Sequence, residues 1–106
     1  MASVTLIDIS SGHTYTINSL TTNVTIANWN SNNNNPKTLN IPAAGISNNG
    51  CKIEIADSAG TAGDYPITPI AASGSISPGA VISSPGGCLV LRSDGNNANW
   101  MIVGRG

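Results

Sequence analysis

The chain has 106 residues, a net charge of −1 and 8% charged residues, whereas roughly 25% is usual for a soluble domain. A chain of this length fits one domain with a real hydrophobic core. Its basic residues are too scattered to neutralise a row of phosphates, and no apolar run approaches the roughly 18 residues that span a bilayer. We therefore expect no nucleic-acid partner and no membrane partner. The basic residues are Lys37, Lys52, Arg92 and Arg105.

Uncharged side chains supply most of the polarity, since 36 of the 106 residues are Asn, Ser or Thr. A molecule with a net charge this close to zero repels its own copies only weakly. Two interpretations of this composition stay open. The surface is either an ordinary polar one, or one that partners cover in an assembly.

Alternation of apolar and polar residues predicts strands along the whole chain and no significant helix. Turn residues separate the strands at the spacing expected of a sandwich or barrel. We therefore predict an all-β fold, a small antiparallel β-sandwich or barrel with irregular arms rich in Gly, Ser and Pro. In chain order, the apolar positions of the alternating runs are Val4, Leu6, Tyr15, Ile17, Val24, Ile26, Leu39, Ile41, Cys51, Ile53, Ile55, Leu89 and Leu91.

The predicted organisation is a single β domain over residues 1–106. Within it we expect an N-terminal arm at 1–12, a polar loop at 28–36 and an irregular connector at 71–87. Proline cannot donate to a strand ladder, so the strand that contains Pro69 is expected at a sheet edge or interrupted. Residues 6–12 and 53–60 share a strand, an acid, small residues and a glycine, which is too short a similarity to define a repeat.

The sequence offers little catalytic chemistry. His13 is the single histidine, and no nucleophile or orienting partner lies near it in the sequence. The segments DSAGTAGD and DGNNAN contain oxygen ligands, but neither has the full ligand spacing of a calcium loop. We predict no enzyme activity, no cofactor and no metal site.

Cys51 and Cys88 are the only cysteines. The N-terminal residues lack the basic and apolar regions of a signal peptide, so we expect two reduced cysteines that pack as small apolar residues. A disulfide stays open as an alternative, because both cysteines are predicted at the starts of strands that could be neighbours.

Several turn and core roles follow from the residues themselves. Asp57 and Gly60 fit a turn, and Asp94 and Gly95 fit the turn of a hairpin. Trp100 is predicted as a large core residue whose N–H needs a partner. The other predicted core residues are Ile53, Ile55, Ile67, Leu89, Leu91 and Ile102.

The second half of the chain resembles a module of tailed-phage virion proteins that occurs in head fibres, tail fibres and capsid decoration proteins. The module has a strand, an acid and a glycine, then a "PITI"-like strand, a small polar connector, and a strand followed by "SDG" and Asn-Trp. The matching residues are Asp57, Gly60, Ala62, Pro66, Ile67, Thr68, Ile76, Ile82, Leu89, Leu91, Ser93, Asp94, Gly95, Asn99, Trp100 and Ile102.

The resemblance implies a structural virion protein on the capsid exterior, made in the host cytoplasm. A short single domain is expected of a capsid decoration or cement protein rather than of a long fibre. Such a protein is expected as a homotrimer that binds the major capsid protein. The alternative is a tail-fibre or spike module that binds a host-surface glycan through Trp29 and the Asn-rich loop.

Overall fold

The computed structural model describes residues 4–9, 13–20, 23–29, 36–57 and 60–106. Strands dominate this part of the chain, which confirms the all-β prediction. The strands are β1 (Val4–Ile9), β2 (Thr14–Thr16), β3 (Asn23–Trp29), β4 (Lys37–Ile41), β5 (Lys52–Ala56), β6 (Ile67–Ala71), β7 (Ser75–Ile76), β8 (Cys88–Asp94) and β9 (Asn99–Arg105). One short 3-10 helix, Ile46–Asn48, lies between β4 and β5.

Successive strands from β1 to β7 alternate between two sheets. The six-stranded sheet has the order β1-β3-β5-β8-β9-β7, and the three-stranded sheet has the order β2-β4-β6. β1, β3 and β5 are parallel, and so are β2, β4 and β6. Three passes of the chain therefore each add one strand to each sheet, which is the winding of a β-solenoid.

A C-terminal hairpin continues the six-stranded sheet beyond the last pass. β8 pairs antiparallel with β5, and β9 pairs antiparallel with β8. The short strand β7 then pairs parallel with β9. In the three-stranded sheet β6 is an edge strand, as expected for the strand that contains Pro69, and only an isolated bridge between Ile67 and Ile82 covers its outer side.

The predicted antiparallel arrangement is wrong for most of the strand pairs, because among the described strands only the pairs that involve β8 are antiparallel. Most of the connections between strands carry the chain across to the other sheet. Alternation could not reveal this, since a strand with one covered face has period two whichever way its neighbours run. Neither sheet closes on itself in the described ranges, so they form no barrel.

One hydrophobic cluster contains buried side chains from both sheets. In the six-stranded sheet, Val24 stands in register with Ile53, and Ile53 with Leu91. A second row consists of Ile26, Ile55 and Leu89. The three-stranded sheet contributes Leu39, Ile41 and Ile67 to the same cluster. Both sheets therefore contribute to one core.

The other predicted segments can be compared with the observed strands. Residues 4–9 of the expected N-terminal arm form β1. Within the expected loop 28–36, β3 reaches Trp29, and residues 30–35 lie outside the described residues. The connector 71–87 contains β7 and the bridge at Ile82. No helix in the described ranges is long and apolar enough to cross a membrane.

The two cysteines are free thiols at opposite ends of the β5–β8 pair. Cys88 stands opposite Ala56, at the end of β5. Cys51 precedes β5, and its carbonyl accepts a hydrogen bond from Ser93 N near the far end of β8. The two residues are separated by the length of β5, and this distance exceeds the reach of a disulfide. The disulfide alternative is therefore wrong.

The predicted hairpin turn joins β8 to β9, and Asn97 N donates to Asp94 O across it at 3.2 Å. The residue with a left-handed backbone in this turn is Ala98, with a φ of 51°. Gly95 is required for another reason: a β-carbon at this position would collide with the backbone carbonyl of Gly45. The turn glycine thus allows the hairpin to contact the connection between β4 and β5.

We expect Gly95→Ala to lower the free energy of unfolding by about 1–3 kcal/mol, since the added methyl group overpacks a backbone contact. Urea denaturation would measure the loss. The matched control is Gly45→Ala, because Gly45 has an extended φ of −156° and open space where a β-carbon would stand. That control should change stability by less than about 0.5 kcal/mol. Equal losses in the two variants would contradict the explanation.

Candidate functional site

The first pass of the winding leaves a strand edge open in each sheet. In the described chain, β1 is an edge strand of the six-stranded sheet and β2 is an edge strand of the three-stranded sheet. An edge strand presents a row of backbone N–H and C=O groups to any strand that approaches. Prolines and lysines often block such edges, yet β1 and β2 contain neither, and their single charged residue is Asp8. These two edges, named the open end below, are suited to strand pairing.

A groove lies at the carboxyl ends of the three parallel strands β2, β4 and β6. Residues 16–18, 40–42 and 70–72 line it, so each pass of the winding contributes three residues. Its volume is about 440 Å³, which is within the range of small-molecule sites. None of the nine described residues that line the groove is charged.

A row of in-register residues crosses the groove from polar to apolar. Thr16 stands opposite Asn40, and Asn40 stands opposite Ile70. The Asn40 side-chain amide donates a hydrogen bond to the Thr16 hydroxyl at 3.3 Å. This bond orients the amide, whose carboxamide oxygen is a hydrogen-bond acceptor. The side chain of Ile70 is 50% exposed at the other end of the row.

Backbone hydrogen bonds hold the groove in shape. Ile17 N donates to Asn40 O at 2.8 Å, and Ala72 N donates to Ile41 O at 2.9 Å. Beneath it, Trp100 is completely buried, and its indole N–H donates to Pro42 O at 2.9 Å. The Pro42 carbonyl is therefore the hydrogen-bond partner predicted for the Trp100 N–H. Because the strands and a buried indole fix it, the groove is preformed.

Asp57 does more than form the predicted turn. Gly60 N donates to Asp57 O at 3.3 Å, and Gly60 has a φ of 73°, a conformation that favours glycine. In addition, Asp57 Oδ2 accepts from Ala62 N at 2.9 Å and from Gly86 N at 3.0 Å. The carboxylate is buried, and its Oδ1 has no hydrogen-bond partner among the described residues. Asp57 therefore ties two distant connections together.

Asn48 joins the 3-10 helix to the C-terminal hairpin, and the sequence did not single it out. Its Oδ1 accepts from Gly45 N at 3.0 Å and from the Ser93 hydroxyl at 2.6 Å. Its side-chain amide donates to Ala43 O at 2.9 Å. Both Asn48 and Ser93 are buried. The available signal was weak, namely that Ser93 continues the inward positions of Leu89 and Leu91.

Lys37 was expected to be one of several scattered bases, yet it is 1% exposed. Its ammonium donates to the Thr61 hydroxyl at 3.4 Å. The sequence did carry a signal for this burial, because Lys37 precedes Leu39 and Ile41 at the spacing of one strand face. Lys37 is thus an inward residue of β4 and adds no positive charge to the surface.

The predicted core residues are distributed through the cluster and do not form a chemical site. Ile102 packs against the cluster and is partly buried. His13 is exposed. In the described ranges no three His, Cys, Asp or Glu side chains are placed to hold a metal ion. The completely buried members of the predicted set are Ile53, Ile55, Ile67, Leu89, Leu91 and Trp100.

We expect Asp57→Ala to lower the free energy of unfolding by about 2–4 kcal/mol, because it leaves the amides of Ala62 and Gly86 without their acceptor. Asp57→Asn retains a side-chain oxygen and should cost clearly less. Urea denaturation of both variants would measure the difference. Glu54→Ala, at an exposed position of β5, is the control and should change stability by less than about 0.5 kcal/mol. The interpretation fails if the Asn variant loses as much as the Ala variant.

Comparison with known proteins does not assign the chain to a family. No family model matches the sequence, and no curated protein matches it. The open end and the uncharged groove are therefore the features from which a function must be inferred.

Proposed function

We propose that this protein is a structural component of a phage virion: a decoration or cement protein that binds the outside of the head and stabilises contacts between major capsid proteins. The open end of the winding is the observation that carries this proposal. A strand of another protein can pair with such an edge through main-chain hydrogen bonds. The motif resemblance of the second half supports a virion as the setting.

The surface composition supports a role in a large assembly. The centres of protein interfaces are depleted in charged residues, and this chain has only 8%. Three large apolar side chains are also well exposed in the described residues, with Ile46 at 87%, Ile70 at 50% and Val103 at 48%. Contact with a capsid surface would remove such side chains from water at little cost in desolvated charge.

The partners proposed are the major capsid protein and further copies of this chain. The resemblance supports a homotrimer on the capsid exterior, made in the host cytoplasm and without enzyme activity. We further propose that the two sheets are the layers of a sandwich, which is supported by their common hydrophobic cluster. In such a trimer each copy would offer one open end to the shell.

A tail-fibre or spike module that binds a host-surface glycan is the second candidate. The uncharged groove on the three-stranded sheet is the observation that favours it. The Asn-rich loop and the side chain of Trp29 lie outside what the structure describes, so they lend this role no support.

Imaging of the virion that contains this protein would decide between head and tail. We expect labelled antibody, or density that fits this fold in a virion reconstruction, on the outside of the head. Dissociated shells should retain the protein, while isolated tails should lack it. Finding the protein only on tails would reject the decoration proposal in favour of the second candidate.

Proline substitutions in β1 test the role of the open end. In a parallel strand, neighbouring residues direct their N–H groups to opposite sides, so one of Thr5 and Leu6 donates towards β3 and the other towards the open edge. The proline on the open side should fold and should bind stripped shells at least tenfold more weakly. The variant with proline on the β3 side should lose about 1–3 kcal/mol of stability, because it removes a ladder hydrogen bond and leaves the acceptor on β3 unpaired.

Cosedimentation with shells would measure binding, and urea denaturation would measure stability. Thr5→Ala and Leu6→Ala are the controls, since both keep the backbone N–H and should bind shells. If both proline variants fold and bind like the unmodified protein, strand addition at β1 is not the mode of attachment.

A further inference from the structure

The groove at the ends of β2, β4 and β6 has a chemistry that limits what it can bind. Its polar side chains are Thr16, Asn18 and Asn40, which offer hydroxyl and carboxamide groups and no charge. A charged ligand buried among neutral groups would lose hydration without gaining an ion pair. A neutral ligand with several hydroxyl groups would exchange hydrogen bonds to water for hydrogen bonds to these side chains. The lining thus favours a neutral, hydroxyl-rich ligand.

The apolar part of the groove narrows the ligand class further. Ile70 is half exposed, and Ala71 and Ala72 continue the lining from it. The row from Thr16 through Asn40 to Ile70 crosses two strand spacings of about 4.8 Å each, with hydrogen-bonding groups at one end and an alkyl group at the other. A sugar ring has the same division, with hydroxyl groups at its rim and C–H groups on its face.

The groove is preorganised for a ligand. The polar side chains lie on or directly after strands, and the hydrogen bond between Asn40 and Thr16 sets the amide before any ligand arrives. Buried Trp100 holds the carbonyl of Pro42 beneath the groove. A ligand would therefore have little protein conformational entropy to remove on binding.

We propose that the groove lined by Thr16, Asn18, Asn40 and Ile70 binds a neutral carbohydrate of one or two sugar units. The polar side chains hydrogen-bond the sugar hydroxyls, and Ile70 packs against the C–H face of the ring. The proposal rests on the groove alone, so it holds for a protein on the head or on the tail. In either place it would give the virion a contact with surface glycans.

The test uses the purified full chain and a panel of sugars. The neutral probes are glucose, galactose, N-acetylglucosamine, N-acetylgalactosamine and their disaccharides, and a sialylated lactose is the charged comparison. NMR titration would report binding, and chemical-shift changes should concentrate at residues 16–18, 40–42 and 70–72. At least one neutral probe should bind clearly more tightly than the sialylated one.

Variants then assign the binding to the groove. Asn40→Ala and Ile70→Ser should each weaken binding of the best neutral probe about tenfold, while a urea denaturation curve checks that they fold. The matched control is Thr68→Val, because Thr68 is exposed on the same strand as Ile70 but does not line the groove. This variant should bind like the unmodified chain.

Three outcomes would overturn the proposal: no neutral probe binds at millimolar concentration, shifts map to another face, or Thr68→Val weakens binding as much as Asn40→Ala. These outcomes would remove the observation that favours the tail-fibre candidate, but they would leave the decoration proposal untouched, because that proposal rests on the open end. Imaging alone decides where the protein sits in a virion, so failure of the carbohydrate site and failure of the decoration proposal can be told apart.

Discussion

In-register stacking of inward aliphatic side chains is the constraint on which the rest of the structure depends. Ile26, Ile55 and Leu89 form one continuous row across β3, β5 and β8, although the direction of the chain reverses between β5 and β8. A slip of one residue in any of these strands would turn its whole apolar set towards water. The same register therefore holds the parallel passes and the antiparallel hairpin to a single core.

Buried polar side chains fix the connections around this core. Asn48 and Ser93 join the 3-10 helix to β8, and Asp57 joins two connections through one carboxylate oxygen. These groups satisfy backbone amides that leave the strands, which is the usual requirement for buried polar groups. Two of these three side chains, Asn48 and Ser93, are uncharged.

The inward residues of the fold could be predicted from the sequence, whereas its winding could not. Alternation identified the rows that contain Ile53, Leu89 and Leu91, because period two follows from a strand with one covered face. Strand direction leaves no trace in that period. The passes also differ in length, since Thr38 is closer in sequence to Thr14 than to Thr68, and so the sequence shows no fixed repeat.

The similarity between residues 6–12 and 53–60 was the one trace of the winding, since β1 and β5 belong to the same sheet with β3 between them.

The groove could not be predicted for a related reason. Its residues come from three passes, and only the register of β2, β4 and β6 brings Thr16, Asn40 and Ile70 into one row. Lys37 is the opposite case. Its residue type suggests exposure, whereas its spacing from Leu39 and Ile41 places it on the buried face of β4.

The open end has a consequence for the isolated chain. β1 offers a row of backbone groups with one acid, no lysine and no proline to discourage strand-by-strand growth. An edge of this kind can template the stacking of further chains, and the low net charge opposes such growth only weakly. Under the proposed role, aggregation would compete with assembly in the interval between synthesis and docking, and capture by a partner would protect the fold by covering this edge.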